Sequence, residues 1–296
     1  MEPVLNPATD LFNEGKYLDA NPDVKEAYGG VAGSGWRHYV NFGFREGRKG
    51  VPEAVRKVVV EVLGAKTNVV MPPKHLVARA HGVPDASAFD HIGRVIALDI
   101  FSAVTPHISL DRPYKILDFG CGCGRVTRFL RLIFPNASIH GTDIDTEAIE
   151  WCRHNCSGMD FSTNNDRPPL PFETNSFDFV CAISVFTHLP EEMQFQWLDE
   201  LRRITRKTGH LILTFAGDHL IRPHLSKESI DALDRSGFFH HAYKRTEGLP
   251  DYYQATWHST GYVKRVWSRY FKILEIISAG INGHQDLVLC QPLNRK

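Results

Sequence analysis

Residues 115–125 read KILDFGCGCGR, an apolar run closed by Asp118 and Phe119 and followed by glycines at 120, 122 and 124. Glycine reaches backbone conformations closed to other residues and leaves room for a ligand against the main chain. Where a buried strand turns into a helix, such a segment aims free amides at a bound molecule. The dinucleotide fingerprint G-x-G-x-x-G requires glycine at 125, and this chain has Arg125, so a pyrophosphate is disfavoured. Asp143 closes the next apolar run, IHGTD, 23 residues after Gly120. An acid there accepts hydrogen bonds from both ribose hydroxyls. The ligand these residues predict is a nucleoside.

A second group of residues could handle protons and an organic acceptor. His188, in SVFTHLP, follows an apolar run and titrates near neutral pH, which suits a base that removes a hydroxyl proton. It could equally do no more than bond a backbone carbonyl or the edge of the ligand. The stretch GLPDYYQATWHSTGYVKRVW supplies Tyr252, Tyr253, Trp257 and His258. Their rigid apolar faces with polar tips suit a sugar ring or an aromatic, and His258 joins His188 as a candidate catalytic histidine. His284 and Asp286, beside Gln285 ahead of the last apolar run, are candidates for the rim. Each of these residues could instead close a core.

Strands and helices must bring these residues together. KILDF, SIHGTD, FDFVCAIS and HLILTFAG are short and apolar, and VTRFLRLIF, EAIEWCRHN and MQFQWLDELRRIT between them carry helical spacing. That alternation predicts a parallel sheet with helices on both faces. After it come a helix near SKESIDALDRS, an irregular insertion at about 237–267, and a closing hairpin of FKILEIISAG and QDLVLCQP around INGH. Ahead of it, residues 75–110 form a helical cap and 51–74 read as a connector. Residues 1–50 read as a small helical module of two or three short helices, too short to be stable without a neighbour.

Asp118-Phe-Gly120-Cys-Gly122-Cys-Gly124, then Gly141-Thr-Asp143-Ile144, then PPLPFETNSFDFVCAISVFTHL resemble the successive motifs of class I S-adenosylmethionine-dependent methyltransferases. The resemblance covers residues 75–292. It implies an α/β Rossmann-like class I methyltransferase fold, a mostly parallel seven-stranded sheet with helices on both faces and an antiparallel last strand. It implies S-adenosyl-L-methionine as cofactor, with Gly120, Gly122 and Gly124 along its methionine and ribose. Asp118 would organise the turn or meet the ammonium through water, and Asp143 would hold the ribose hydroxyls. Ile144 would pack on the adenine, Asn164 or Asn165 would lie at the adenine edge, and Ser184 would face the sulfonium. AISVFTHL and HQDLVL are similar to methyltransferases found beside glycosyltransferases. Residues 17–48 resemble the Y-L-x-x-N-P-D-V … H-Y-x-x-F-G-x-x-E-G-R modules that accompany glycan-building domains. The acceptor implied is a sugar or glycan-precursor hydroxyl or another small polar molecule, and residues 1–50 could bind a protein partner or a second copy. The rival readings are an N-methyltransferase acting on a small molecule or protein, an idle cofactor-binding scaffold, and a dinucleotide oxidoreductase.

Composition removes other classes. The 296 residues carry 34 basic and 34 acidic side chains, so the electrostatic footprint of a nucleic-acid binder is missing. The N-terminus lacks the basic start and apolar core of a secretory signal, and no run of about 18 apolar residues calls for membrane insertion. A cytoplasmic chain is expected. Its six cysteines are then reduced thiols rather than a disulfide framework. Cys121, Cys123, Cys152 and Cys156 lack the usual zinc spacing, and no metal is expected.

Overall fold

The computed structural model describes residues 11–64, 70–109, 112–217, 225–241 and 248–294. Its centre is a seven-stranded sheet of β1 (Lys115–Phe119), β2 (Ser138–Asp143), β3 (Asp160–Thr163), β4 (Phe177–Ala182), β5 (Thr205–Phe215), β8 (Phe271–Ile281) and β9 (Gln285–Pro292). The order across the sheet is β3-β2-β1-β4-β5-β9-β8. The first five strands run parallel, and β9 runs antiparallel to both its neighbours. The closing hairpin predicted from the sequence is β8–β9, turning at Asn282 and Gly283 with positive φ. Strand β3 has no counterpart in the sequence reading: DFST is four residues long and mostly polar, too short to show a period.

Each face of the sheet carries its own core. Ile116, Phe179, Ile212 and Leu289 point to one side, where α6 (Ala86–Val104) and α7 (Thr127–Ile133) cover them. Leu117, Val180, Leu213 and Val288 point to the other, under α9 (Glu191–Ile204) and α11 (Thr260–Val266). The alternation along each strand is the two-sided burial of a parallel sheet.

The stretch ahead of the sheet is more ordered than its sequence predicts. The helical cap is two helices, α5 (Lys74–His81) and α6, separated by Gly82 with φ +84° and restarted by Asp85, whose carboxylate accepts from the Ser87 and Ala88 amides. Residues 53–64 of the expected connector form α4, which buries Val55, Val59 and Val62. The helices α1 (Glu14–Ala20), α2 (Pro22–Tyr28) and α3 (Ser34–His38), with a π-helical turn at Tyr39–Gly43, place Tyr17, Val24, Trp36 and Tyr39 in the same apolar cluster as α6. Residue 50 therefore separates no two cores. One carboxylate fastens three segments: Asp99 accepts from the Trp36 indole at 3.0 Å and from the Asn282 amide at 2.7 Å.

Helix α8 (Thr146–Asn155) joins β2 to β3, and α10 (Lys227–Ser236) precedes the small hairpin of β6 (Phe238–His241) and β7 (Ala255–His258). That hairpin lies inside the expected insertion, part of which, 242–247, is outside the described residues, as is the N-terminal stretch 1–10. Among the described residues no helix is long and apolar enough to cross a membrane.

Candidate active site

The register of β1 on β2 pairs Asp118 with Gly141 and Phe119 with Thr142, so the two carboxyl ends finish side by side. The turn after β1 then folds over the end of β2, with the Gly120 and Cys121 amides donating to the Thr142 carbonyl at 2.8 and 3.1 Å. Gly120, Gly122 and Gly124 all have positive φ, between 53° and 76°, which non-glycine residues rarely adopt. A Cβ on Gly120 would stand 2.3 Å from Val185, so the missing side chain lets Val185 close down on the turn. From the opposite side α6 presses on the turn, since a Cβ on Gly93 would fall 2.2 Å from the Arg125 carbonyl.

Above this turn lies a cavity with about 1020 Å³ of atom-free space, counting the part open to solvent. Asp118, Gly120, Gly122, Asp143, Ile144, Asn164 and Ser184 line it, as the sequence predicts. Asp143 takes hydrogen bonds on both carboxylate oxygens, from the Gly122 amide at 2.7 Å and the Asp145 amide at 2.9 Å. Each oxygen keeps a further lone pair, so the same carboxylate can also receive two ligand hydroxyls. Burial raises its pKa, and the two amides oppose that shift. Asp118 is buried, accepts from the Thr127 hydroxyl at 2.5 Å, and has its pKa pushed up to about 6 by burial. It thereby ties β1 to the first turn of α7. Ser184 holds φ +61°, donates its amide to the Thr214 hydroxyl at 2.8 Å, and receives the Gln285 amide on its own hydroxyl at 2.7 Å.

Two expected cofactor residues lie elsewhere. Gly124 does not line the cavity; a Cβ there would meet the Cys152 and Cys156 sulfurs at 3.3 and 3.6 Å, so this glycine seats the turn against α8. Asn165 is exposed and does not line the cavity, whereas Asn164, which accepts from Thr142 at 2.9 Å, and Asp166 do. The six cysteines are buried and free. Among the described residues no three His, Cys, Asp or Glu side chains gather as a metal site.

A wider cleft opens beside the cavity and shares Arg79, Ala80, Arg125, Ser184 and Tyr253 with it. His188 and His284 line this cleft, while Tyr252 lines the first cavity alone. The His188 ring lies stacked on Tyr253 at 4.2 Å between centroids and 16° between planes. Its Nδ1 stands 3.0 Å from the Gln254 carbonyl. A carbonyl only accepts, so Nδ1 carries the proton and Nε2 keeps a lone pair. Burial pushes the His188 pKa down to about 4, which keeps the ring neutral at pH 7.

Three expected residues do not reach either space. His258 is fully buried under Phe215, Phe238, Tyr262 and Trp267, with Nε2 2.9 Å from the Gln194 amide oxygen. Burial pushes its pKa down to about 3, and it acts as a core histidine rather than a catalytic one. Trp257 points to the other side of β7 and stacks on Phe239 at 5.7 Å. Asp286 is buried in β9 and accepts from the Ala279 amide at 2.7 Å, holding the irregularity of β8.

The sequence reading also missed residues of the site. Arg79 lines both spaces and bonds Asp145 at 3.0 Å and Glu147 at 2.8 Å. A Cβ on Gly248 would stand 2.7 Å from its guanidinium, so the loop bearing Leu249 and Tyr252 closes over this arginine. Its signal was the acid pair Asp145 and Glu147 at the start of α8. Arg125 also lines both spaces, although the sequence marked it only as the residue that spoils a dinucleotide fingerprint.

Residues 116–209 match the family model described as a methyltransferase domain. A fatty-acid O-methyltransferase of Mycolicibacterium smegmatis is 30% identical over 120 residues, 40% of this chain and 43% of that protein. A malonyl-[acyl-carrier protein] O-methyltransferase of Legionella pneumophila is 32% identical over 108 residues, 36% of this chain and 37% of that one. The chain thus spans about two-fifths of the length of these curated relatives. Among solved structures, a chain of the Haloferax volcanii complex between the Trm112 methyltransferase activator and a methyltransferase superposes with TM-score 0.53 at 14% identity. The match covers 76% of this chain and 100% of that one. The fold is the Rossmann-like class I methyltransferase fold.

Proposed function

We propose that this chain is an S-adenosyl-L-methionine-dependent methyltransferase acting on an oxygen of a small polar acceptor. The observation that carries the reading is the join of the two spaces: a nucleoside-sized cavity over the glycine turn opens into a cleft whose wall holds the lone pair of His188 Nε2. The cavity suits the cofactor because Asp143 keeps lone pairs for two hydroxyls and the turn at Gly120 and Gly122 brings bare backbone to its wall. Gly120, Gly122, Asp143, Ile144 and Asn164 would hold the nucleoside portion, with Ser184 toward the cleft. Bound there, the cofactor supplies a methyl group made electrophilic by its sulfonium sulfur. The chain's own tasks are to hold the acceptor in line, exclude water, and receive the acceptor's proton on His188 Nε2 as the new bond forms.

The finer form of this proposal is a sugar or glycan-precursor hydroxyl as acceptor, in a cytoplasmic enzyme working beside glycosyltransferases. Tyr253 on the cleft wall and the glycan-associated pattern of residues 17–48 support it. The relatives named for fatty-acid and malonyl O-methylation support oxygen over nitrogen as the atom modified. Exposed Tyr28, Val31 and Phe42 support a protein partner or self-association through residues 1–50, which light scattering of the parent and of Phe42→Ser would test.

The experiment is transfer of a labelled methyl group from the cofactor to panels of hydroxylated sugars, carboxylic acids and amines. Label in an oxygen acceptor, reduced by His188→Ala, is expected; label in amines alone would overturn the oxygen assignment.

A further inference from the structure

Arg125 lines both spaces, and its surroundings differ from those of Arg79 and Arg128. Arg79 is neutralised by Asp145 and Glu147. Arg128, one turn further, faces Asp90 at 3.6 Å. Among the described residues no carboxylate pairs with Arg125 and no hydrogen bond reaches it. It is half buried where the two spaces meet, and a partly desolvated cation gains from an anion that pairs with it.

We propose that Arg125 is a carboxylate seat and that the acceptor is an acid anchored by that group beside the cofactor cavity: a uronic acid, whose hydroxyl gives its proton to His188 as it takes the methyl, or an aliphatic carboxylic acid, whose own carboxylate oxygen takes the methyl with no proton to lose. The proposal rests on the methyltransferase reading for its choice of acceptor, and on the geometry alone for the anion seat. Three observations support it. The only carboxylate lining the wider cleft among the described residues is Glu147, and Arg79 and His75 already engage it, at 2.8 and 2.6 Å. His188 on the same wall is held neutral by burial and does not compete for an anion. Burial lowers the Arg125 pKa, and no nearby acid offsets it enough to restore the ordinary value, so an incoming carboxylate would relieve an existing penalty. Arginine also presents a planar fork that binds both carboxylate oxygens, which gives the acceptor an orientation as well as an affinity. The relatives named for fatty-acid and trans-aconitate methylation act on acids, which agrees with this chemistry without assigning it here.

The cofactor's own methionine carboxylate is the competing occupant. Arg125 lines the cavity as well as the cleft wall that carries His188, so both occupants are within its reach. The test separates the two. Glucuronate and dodecanoate are titrated by calorimetry into the protein with and without S-adenosylhomocysteine, with glucose and dodecanol as neutral counterparts. The same titrations are run on Arg125→Gln and Arg125→Lys, and thermal melting checks that both variants fold. The expected result is that at least one acid binds and its neutral counterpart does not. Arg125→Gln should weaken that acid about tenfold or more, and Arg125→Lys less, with the affinity for S-adenosylhomocysteine changed under threefold. No binding of either acid to the folded parent, or equal binding to Arg125→Gln, would overturn the proposal. A loss of S-adenosylhomocysteine affinity in Arg125→Gln with acid binding intact would hand the arginine to the cofactor instead. An acid that binds the cofactor-free parent through Arg125 would keep the anion seat even if S-adenosylhomocysteine bound nowhere, so the two readings fail separately.

Discussion

The two spaces at the carboxyl edge of the sheet share a wall and carry opposite charge. The cavity over the glycine turn is lined by Asp118, Asp143, Asp145 and Asp166 against Arg79 and Arg125. The wider cleft takes the same two arginines with His75, His81, His188 and His284, against Glu147 alone. A chamber where carboxylates outnumber arginines suits a ligand bearing an ammonium and a sulfonium, whereas one whose single described carboxylate, Glu147, is already engaged by Arg79 and His75 suits an anion. They differ in assembly as well. The cavity is built from the ends of neighbouring parallel strands and the turns after them, so its residues lie in short contiguous motifs. The cleft gathers α5, α6, the turn after β1, the start of α8, the loop after β4, the 248–254 loop and the β8–β9 turn, segments drawn from residues 75 to 285.

The comparison can be broken first at His188. Its replacement by alanine should lower kcat about 100-fold or more while cofactor affinity holds. Because burial holds its pKa near 4, the active neutral form is lost only as pH falls through about 4. The acid limb of kcat should therefore lie near that pH and not near 6.5, as a pH–rate profile would show. A limb at 6.5, or an alanine variant as active as the parent, would remove this histidine from proton transfer.

On the other side of the wall, Asp143→Ala should weaken cofactor binding by about 1–3 kcal/mol, the scale of lost charge-assisted hydrogen bonds. Titration calorimetry reads this directly. Part of the loss would come through the turn, because the Gly122 and Asp145 amides lose their acceptor.

A similar but purely structural effect is expected at Asp99, which ties α3 and the β8–β9 turn to α6. Burial raises its pKa to about 7, well above its unfolded value near 4. The folded chain then keeps a proton that the unfolded chain releases, so this group's contribution to stability falls as pH rises from about 4 to about 7. Asp99→Asn should flatten that slope in denaturant titrations. It should also cost about 1–3 kcal/mol, because an amide cannot accept from both Trp36 and Asn282. The smallest effect belongs to Asn165: exposed and outside the cavity, its alanine variant should shift stability and cofactor affinity by less than about 0.5 kcal/mol.

What could be read in advance follows the same division. Asp118, Gly120, Gly122 and Asp143 were legible because a ligand that touches backbone needs glycine, and a strand end needs an acid within a few residues. Gly124 was misassigned because a positive φ serves packing against Cys152 as readily as it serves a ligand. The cleft resisted for a stronger reason. Tyr252, Tyr253, Trp257 and His258 are all aromatic rings in one stretch, and only the direction of β7 decides which of the last two faces Trp267 and which faces Phe239. A strand of four residues set by its pairing with β6 gives no periodic signal of its own. Arg125 was visible in the sequence, but whether a carboxylate among the described residues stands beside an arginine shows only in three dimensions.

The central claim, that the glycine turn and Asp143 form a nucleoside seat for this cofactor, is tested most directly by calorimetric titration of the parent chain and of Asp143→Ala with S-adenosylhomocysteine, alongside NAD. The account predicts binding of S-adenosylhomocysteine to the parent, weakened in the variant, and none of NAD. Equal affinity in parent and variant, or binding of NAD alone, would contradict it.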